Sequence, residues 1–589
     1  MLILMALTLA AAASPSAVET RVKELNALLN ESWEHNLKVN PEYASILGDK
    51  RYNDQLSDGS EKAIFAEIAS DKKYLARFTA IDPEGLPEQD ALNRSLMISQ
   101  LQRGLEGNKF KNWEMPVTQF GGIHINAPQL VALLPFDTVK DYDDYIARLR
   151  KLPRSFDQTI TLMRKGMAEG LMPPRILLEQ VVDQSAGIAA KKPEENPFYA
   201  VPSGKLPAAF SEADKTRLRA AMLDAVTKSV IPAYVKFTAF VKNDYAPHGR
   251  KEPGLWSLPN GVARYAYAVK QSTTTDLTPD QIHQTGLDEV ARDRAAMLEI
   301  AKKLGFADLK TFEAALAADP KQHGTSRQQI VDLYTKHIAE MSAKLPELFG
   351  RLPKAKVEVL PIEEFREKNA AGADYSTGTP DGKRPGHVNV NTGDFEKRLL
   401  TDVETTAYHE GVPGHHMQLS IAQELPSLPP FRQHGYYNAY IEGWALYSER
   451  LGREAGFYQD PYSLYGHYTD DLLRAIRLVV DTGFHSKHWT RQQVVDFFHD
   501  NSGIDEPTVQ SETDRYMAWP AQALGYKVGQ LKILALRERA QKELGSKFDI
   551  KSFHDEVLSG GAIPLDVLDA RMAAWTRAQK SAEPQRGSK

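Results

Sequence analysis

The segment Tyr408–Gln418, which reads Y-H-E-G-V-P-G-H-H-M-Q, constrains the fold more than any other part of the chain. A proline at position 413 has no N–H to donate to the carbonyl of residue 409, so a helix through this segment must kink or bulge. Two flanking glycines make such a distortion inexpensive. The segment also carries four candidate metal-site residues, which are His409, Glu410, His415 and His416.

The spacing of these histidines differs from the usual zinc-hydrolase motif H-E-x-x-H, in which two imidazoles share one helical face. On an unbroken helix, residues seven apart share a face but lie about 10.5 Å apart along the axis, and residues six apart point in different directions. A two-residue bulge would make His415 the second ligand after His409, and a three-residue bulge would select His416. The alternative is a helix corner whose histidines lie on the surface.

The chemistry of this segment favours a metal site over that corner. Neutral imidazole is the commonest protein ligand for zinc, and a glutamate directly after the first histidine can act as general base on an activated water. Clustered histidines and a carboxylate usually mark a functional site. We therefore predict that Glu410 is the catalytic base.

A third ligand is expected from the next helix, where Glu442 shares a face with Glu449 at helical spacing. An acid among apolar neighbours requires a compensating charge, and a divalent cation supplies one. Two histidines, one glutamate and a water form a standard catalytic zinc set. The alternative for Glu442 is an exposed acid near a helix start, and Glu449 is expected to support the ligands or to pair with a neighbouring arginine.

Four stretches carry a resemblance to a known family: H-E-G-V-P-G-H-H-M-Q, E-G-W-A-L-Y-S-E-R-L, R-L-V-V-D-T-G-F-H and R-Y-M-A-W-P-A-Q-A-L-G-Y. Together they resemble the bacterial domain-of-unknown-function 885 family, over most of the chain as far as Phe553–Leu565. That family is similar to the mostly helical zinc peptidases that include thimet-type oligopeptidases, angiotensin-converting enzyme and thermostable carboxypeptidases. The resemblance implies a mainly α fold, with two lobes around a deep central cleft and a small sheet beside the metal that binds substrate.

The remaining patterns predict a helical chain of two lobes, because 589 residues exceed what one hydrophobic core usually serves. Helical periodicity recurs, with residues 139–152 and 157–169 as a pair and residues 191–206 as a polar loop. Capping boxes begin later helices at Thr278, Ser326 and Thr490, and alternating segments at 356–360 and 387–392 predict strands. The predicted divisions are a leader (1–17), an N-terminal lobe (18–270), a catalytic lobe (271–577) and a disordered tail (578–589).

The first residues, M-L-I-L-M-A-L-T-L-A-A-A-A, predict a signal peptide, because this apolar run is too short to span a bilayer and ends in small residues. We therefore expect a periplasmic or secreted protein. The chain contains no cysteine, so the sequence predicts neither disulfides nor lipid attachment, and any metal must lie on histidine or carboxylate. A net charge of −5 argues against nucleic acid, and no other segment reaches membrane-spanning length.

Two further segments offer groups that peptide hydrolysis needs beyond the metal. Asp481 and His485 lie four residues apart, so the carboxylate could orient the imidazole. The family resemblance implies that Arg515 and Tyr516 face the cleft. Tyr516 or His485 would then stabilise the oxyanion, and Arg515 would hold a substrate carboxylate. The alternatives are a packing tyrosine and a surface ion pair.

These observations predict an exported peptidase that binds Zn²⁺ and hydrolyses short peptides, with Glu410 moving the proton. Two alternatives remain open at this stage. One is a non-catalytic peptide-binding protein in which a structural metal is closed by four protein ligands. The other is a metal-dependent amidase that acts on cell-wall peptides. The sequence does not indicate an oligomeric state.

Overall fold

The structure, a computed structural model, describes residues 15–362, 364–367 and 370–581. The apolar run predicted as a signal peptide therefore lies outside the described residues, and the last three positions of the predicted leader, residues 15–17, begin the first helix. Residues 582–589 of the predicted tail also lie outside them. The last helix runs to Ser581, so the first four residues of that predicted tail are helical.

The described residues are mainly α-helical, which confirms the predicted fold class. In chain order the helices are α1 Pro15–Val39, α2 Pro41–Ile46, α3 Glu61–Ala80, α4 Glu88–Gly107, α5 Ile123–Leu133, α6 Val139–Ala168, α7 Arg175–Ala189, α8 Pro197–Gly204, α9 Glu212–Ala225, α10 Ile231–Phe240, α11 Gly261–Thr273, α12 Pro279–Lys303 and α13 Leu309–Ala318. They continue as α14 Arg327–Leu348, α15 Glu364–Glu367, α16 Val403–Glu410, α17 His415–Gln423, α18 Pro430–Gln433, α19 Asn438–Glu454, α20 Pro461–His485, α21 Arg491–Asn501, α22 Glu506–Ala518, α23 Leu524–Leu544, α24 Ile550–Leu558 and α25 Leu565–Ser581.

Local sequence signals place several helix starts correctly. The side chains of Thr278, Ser326 and Thr490 each accept a hydrogen bond from the backbone N–H three residues later. Two other predictions were wrong. Residues 139–152 and 157–169 form the single helix α6, because burial of the residues on either side of Pro153 outweighs the one hydrogen bond that proline removes. The polar loop at 191–206 contains the short helix α8.

A small sheet of three strands lies within the helical chain, in the order β1 Val357–Pro361, β3 Gly386–Val390 and β2 Ala373–Ser376. Strand β1 runs parallel to β3, and β2 runs antiparallel to it. The sequence predicted β1 and β3 to within two residues at each end. It missed β2, which lies in a glycine-rich segment without strand periodicity.

In the part of the chain that the structure describes, four hydrophobic cores hold the helices together. One lies between α1, α3 and α4, and a second is built from residues 117–246. The other two are formed mostly by later helices. One of them also includes Leu96, Tyr265 and Val269, and the other includes Leu177. The division at residue 270 and the cleft between two lobes stay predictions.

Helices α19 and α23 cross with their backbones in contact. A methyl group on Gly529 would lie 1.8 Å from the carbonyl oxygen of Ala439, and one on Gly443 would lie 2.4 Å from the Gly529 Cα. Only glycine fits at such an approach. The crossing brings the first turn of α23 close to the face of α19 that carries Glu442.

Candidate metal centre

The connection between α16 and α17, residues 411–414, carries the break that the proline predicts. Trp444 on α19 donates a 2.8 Å hydrogen bond from Nε1 to the carbonyl oxygen of Pro413. A methyl group on Gly414 would lie 1.9 Å from the carbonyl oxygen of His409, so the chain folds back tightly onto α16. The connection is therefore packed from both sides, and it sets the direction in which α17 begins.

This break brings the imidazoles of His409 and His415 together. Their ring centroids lie 4.8 Å apart, with the planes perpendicular. The Oε2 atom of Glu442 lies 3.7 Å from Nε2 of His409 and 3.4 Å from Nε2 of His415. Ligand atoms about 2.05 Å from a tetrahedral zinc ion are separated by about 3.3 Å. All three residues are at most 8% exposed.

The donor atoms at this position fit a divalent cation. Oε2 of Glu442 is buried and has no hydrogen-bond partner among the described residues, although it faces both imidazoles. Burial opposes ionisation of this carboxyl, yet the two facing imidazoles, His409 and His415, hold the pKa of Glu442 well below its usual range. A buried, anionic oxygen without a hydrogen-bond donor is what a cation would satisfy.

A second carboxylate, Glu410, faces the same pair of histidines. Single ligand atoms of His409, Glu410 and His415 all lie within 4.8 Å of one another. Burial raises the pKa of Glu410 above its usual range, and the charges of Glu442 and Asp374 raise it further against the opposing effect of the two histidines. Glu442 makes the shorter approaches and is the more acidic group, so it suits a ligand, while Glu410 suits a base.

Glu449 lies behind the first histidine and holds its orientation. The Nδ1–H of His409 donates a 2.7 Å hydrogen bond to Oε1 of Glu449. The second oxygen of Glu449 accepts from the Thr405 hydroxyl at 3.0 Å, and Arg474 lies 3.5 Å from the first. A carboxylate behind a ligating histidine fixes the tautomer, which leaves Nε2 free to bind. The arginine that pairs with Glu449 comes from α20 and not from the neighbouring turn of α19.

The structure does not bring His416 to this group. Its Nε2–H donates to the carbonyl oxygen of Ala355 at 3.2 Å, and its Nδ1 accepts from the Tyr375 hydroxyl at 3.0 Å. Burial lowers the pKa of His416 to about 4. Both ring nitrogens are therefore used, and His416 joins α17 to strand β2. Of the two candidates for second ligand, the geometry favours His415.

His485 also lies away from the metal ligands. Its Nδ1 accepts the backbone N–H of Leu255, and its Nε2–H donates to the carbonyl oxygen of Tyr516, each at 3.0 Å. Burial lowers the pKa of His485 to about 3. The carboxylate of Asp481 does not orient it, since Asp481 accepts from the Tyr265 hydroxyl and from the Ala521 N–H. An imidazole with both nitrogens on backbone groups has no proton to offer a substrate.

The hydroxyl of Tyr516 is not available to a substrate either, because it donates to Glu512 and the side chain is fully buried. Arg515 lies closer to the metal ligands. Its Nη2 donates to the Tyr526 hydroxyl at 3.1 Å, and the Tyr526 ring stacks on His409 with centroids 6.1 Å apart. Arg515 also pairs at 3.3 Å with Glu512, a carboxylate that Arg477 contacts at 3.0 Å.

One residue at this site was missed by the sequence reasoning. The side chain of Tyr436, two residues before α19, is 62% exposed, and its hydroxyl donates to Oδ1 of Asn438 at 3.2 Å. Partial desolvation and the charge of Glu442 raise the pKa of this hydroxyl above its usual range. The only local signal is a tyrosine directly before a helix that carries a candidate ligand.

Residues 41–572 match the family described as "Bacterial protein of unknown function (DUF885)". The chain belongs to the DUF885 family. The match includes every residue of the candidate metal centre. No curated protein matches the chain.

Two solved structures are similar to this DUF885 member. One is described as "the putative lipoprotein from Colwellia psychrerythraea"; it is 30% identical, has a TM-score of 0.91, and the alignment covers 95% of this chain and 99% of that one. The other is described as "a putative lipoprotein of unknown function from Shewanella oneidensis", with 19% identity, a TM-score of 0.70, and coverage of 93% and 99%. The second shows the shared fold alone.

These relatives correct the prediction that a lipoprotein is excluded. That exclusion was wrong, because both similar structures are described with the words "putative lipoprotein". It rested on the lack of cysteine in the sequence. Among the described residues, no helix combines the length and apolar character needed to cross a bilayer.

Proposed function

We propose that this protein is a zinc-dependent peptidase that hydrolyses short peptides. The observation that carries the proposal is the convergence of His409, His415 and Glu442, whose buried Oε2 has no hydrogen-bond donor. Two imidazoles and one carboxylate favour zinc over magnesium or calcium, which prefer oxygen ligands. The apolar leader and the descriptions of the two similar proteins support an exported location.

His409, His415 and Glu442 would hold the cation, which when bound supplies Lewis-acid activation of a water molecule and of the scissile carbonyl. The carboxylate of Glu410 accepts a proton from the attacking water and returns it to the nitrogen of the leaving amine. Its raised pKa suits this exchange, because a group that both accepts and donates works best with a pKa closer to the working pH.

Two tyrosines are better placed than Tyr516 to stabilise the developing oxyanion. The hydroxyl of Tyr436 lies near the carboxylate of Glu442. The ring of Tyr526 stacks on His409, and its hydroxyl accepts a hydrogen bond from Arg515. A hydroxyl preorganised near the reacting carbonyl stabilises the negative charge that develops there. In this proposal Arg515 positions Tyr526 and does not itself bind a substrate carboxylate.

The free edge of strand β2 is the proposed binding surface for an extended peptide. Strand β2 pairs with β3 on one side, and among the described residues no strand pairs with its other side. Its Tyr375 contacts His416, the neighbour of a proposed ligand, and the charge of its Asp374 acts on Glu410. A peptide added as a further strand gains backbone hydrogen bonds whatever its sequence.

The test combines metal analysis with a peptide-library assay on the wild type and on Glu410→Gln. We expect about one zinc per chain in both proteins, and a loss of turnover of at least ~10²-fold in the variant. Glu454→Gln, the same change at the far end of α19, serves as control and should leave turnover unchanged. Normal turnover in Glu410→Gln would overturn the proposal.

One observation favours a second candidate, a structural zinc site closed by four protein ligands. The Glu410 carboxylate lies in the same 4.8 Å group as the two histidines, so it could complete the coordination. In that case Glu410→Gln would lose zinc and thermal stability together. Retention of zinc with loss of turnover distinguishes the peptidase from this alternative.

A further inference from the structure

A cavity away from the metal centre lies in the N-terminal half of the chain, between helices α2, α5, α6 and α8. Its volume is about 630 Å³, within the range of about 300–1,000 Å³ that is typical of small-molecule sites. None of the proposed metal-site residues lines it. The walls are mostly aliphatic and aromatic, and include Ile46, Leu56, Ile123, Leu130, Leu149 and Phe198.

One charged side chain in this wall is almost completely buried. Arg148 on α6 lines the cavity and is 3% exposed. Its Nε donates to the carbonyl oxygen of Gln55 at 2.7 Å, and its Nη2 donates to the carbonyl oxygen of Tyr52 and the hydroxyl of Ser45. Its Nη1 is buried and has no hydrogen-bond partner in the described part of the chain.

The charge of Arg148 has no direct carboxylate partner among the described residues. The acids whose charges act on it are Glu42, Asp54 and Asp144. Glu42 accepts from the N–H and hydroxyl of Ser57, while the two aspartates pair with lysines. A buried guanidinium bonded only to neutral groups carries a desolvation cost that an anion would offset.

We propose that this cavity binds an aliphatic monocarboxylate, with the carboxylate accepting hydrogen bonds from Nη1 of Arg148 and the hydrocarbon chain packed against the apolar wall. The two N–H groups of Nη1 are the donors left over after Arg148 has bonded its protein neighbours. A charge-assisted hydrogen bond in a dry site is stronger than one between neutral groups. The apolar wall supplies the area that buries the hydrocarbon.

This chemistry has two possible sources, a free fatty acid or the C-terminal carboxylate of an apolar peptide. Both present one carboxylate joined to a hydrocarbon surface. The proposal does not depend on peptidase activity, since the cavity shares no lining residue with the metal centre.

The test is calorimetric titration of the full chain with decanoate, decanol and decyltrimethylammonium, in the presence of a metal chelator so that binding at the metal centre is excluded. We expect decanoate to bind at one site and at least about tenfold more tightly than the other two probes, because only decanoate completes the Arg148 hydrogen bonds. Equal binding of decanol and decanoate would overturn the proposal.

Two variants test whether decanoate binds in this cavity. Arg148→Met keeps the length of the side chain and should weaken decanoate binding about tenfold or more, provided that it folds. Ala127→Phe keeps Arg148 and fills the cavity, so it should abolish binding even if the first variant is unstable. Unchanged decanoate binding in Ala127→Phe would place the ligand elsewhere and overturn the proposal.

An apolar tetrapeptide with a free C-terminus and its C-terminal amide distinguish the two sources. If the peptide with the free C-terminus binds tightly and its amide does not, the natural ligand is a peptide carboxylate. If decanoate binds and neither peptide does, the natural ligand is a free fatty acid. If neither carboxylate binds, the proposal is overturned, while the proposed peptidase activity, which is measured separately, is unaffected.

Discussion

The Nδ1–H of His409 donates a hydrogen bond of 2.7 Å to Oε1 of Glu449, a carboxylate from another helix that is fully buried. This contact holds Nδ1 of the imidazole against Glu449 and directs Nε2 toward His415 and Glu442. Burial by itself would raise the pKa of Glu449. The charge of Arg474 and the contact with His409 outweigh this effect and lower the pKa. His409, a proposed metal ligand, is thus oriented by Glu449, which is not itself a proposed ligand.

We expect Glu449→Gln to weaken zinc binding about tenfold or more, because a neutral amide orients and polarises His409 less well than a carboxylate. Zinc affinity is measured by competition with a chromogenic chelator. Glu454→Gln on the same helix is the control and should bind zinc as the wild type does. Wild-type affinity in Glu449→Gln would show that this hydrogen bond does not tune the site.

The pH profile of kcat/KM reports on Glu410. Burial raises the pKa of this carboxyl, so it becomes protonated at a higher pH than the usual value of about 4.3. A general base must be deprotonated, and activity should therefore fall as the pH is lowered through this raised pKa. Zinc content is measured at each pH to separate protonation from metal loss. An acid limb at or below about pH 4.3 would contradict this assignment.

Replacing single tyrosine hydroxyls separates the oxyanion donors from the structural tyrosine. We expect Tyr436→Phe or Tyr526→Phe to lower kcat about 10²-fold, the usual effect of removing an oxyanion donor. Tyr516→Phe should leave kcat nearly unchanged and instead lower the free energy of unfolding, because Glu512 loses one of its hydrogen bonds and keeps those from Arg477 and Arg515. A large loss of kcat in Tyr516→Phe, with little effect of Tyr436→Phe and Tyr526→Phe, would instead identify Tyr516 as the oxyanion donor.

Buried neutral histidines should make the fold sensitive to acid. Burial lowers the pKa of His554 and His485 to about 3, and that of His124 and His467 to about 4. An unfolded histidine titrates near 6.5, so below that pH the unfolded chain binds more protons than the folded one, and stability falls as the pH is lowered toward the folded-state pKa. We expect unfolding by urea to become easier from about pH 6 downward.

The variant His554→Gln tests this relationship at one position. It should reduce the slope of unfolding free energy against pH by about 1.4 kcal/mol per pH unit, which is the contribution of one proton. His554 contacts the Tyr447 hydroxyl and the carbonyl oxygen of Leu348, so the variant will also lose some stability at neutral pH. The slope is the decisive quantity, and an unchanged slope would be inconsistent with a neutral buried His554.

The contact between α19 and α23 predicts that Gly529→Ala destabilises the protein by about 1–3 kcal/mol or more, since the methyl group would lie 1.8 Å from a carbonyl oxygen. Urea unfolding measures the change. Gly187→Ala on α7 is the matched control, because no atom lies within 4 Å of the added methyl group, and it should be neutral or slightly stabilising. Equal effects at both positions would show that the crossing can relax.

Sequence reasoning predicted the features of this fold that depend on neighbouring residues. The capping side chains of Thr278 and Thr490 act on a backbone N–H three residues away, and the alternation in β3 reflects one buried face. Strand β2 was missed because it exists only through its pairing with β3 and has little periodicity of its own.

The candidate site shows the same division. The sequence alone determined that a helix must break at Pro413 and that the imidazoles and Glu410 flank that break, because these properties follow from local covalent chemistry. The tertiary structure brought Glu442, which the sequence could only suggest as a third ligand, next to His409 and His415. Only the tertiary structure decided between His415 and His416, since the direction of α17 depends on Trp444, which lies 31 residues beyond Pro413. It likewise decided that the hydroxyl of Tyr516 faces Glu512 and not a substrate. A side chain's role depends on which groups surround it, and those groups come from distant parts of the chain.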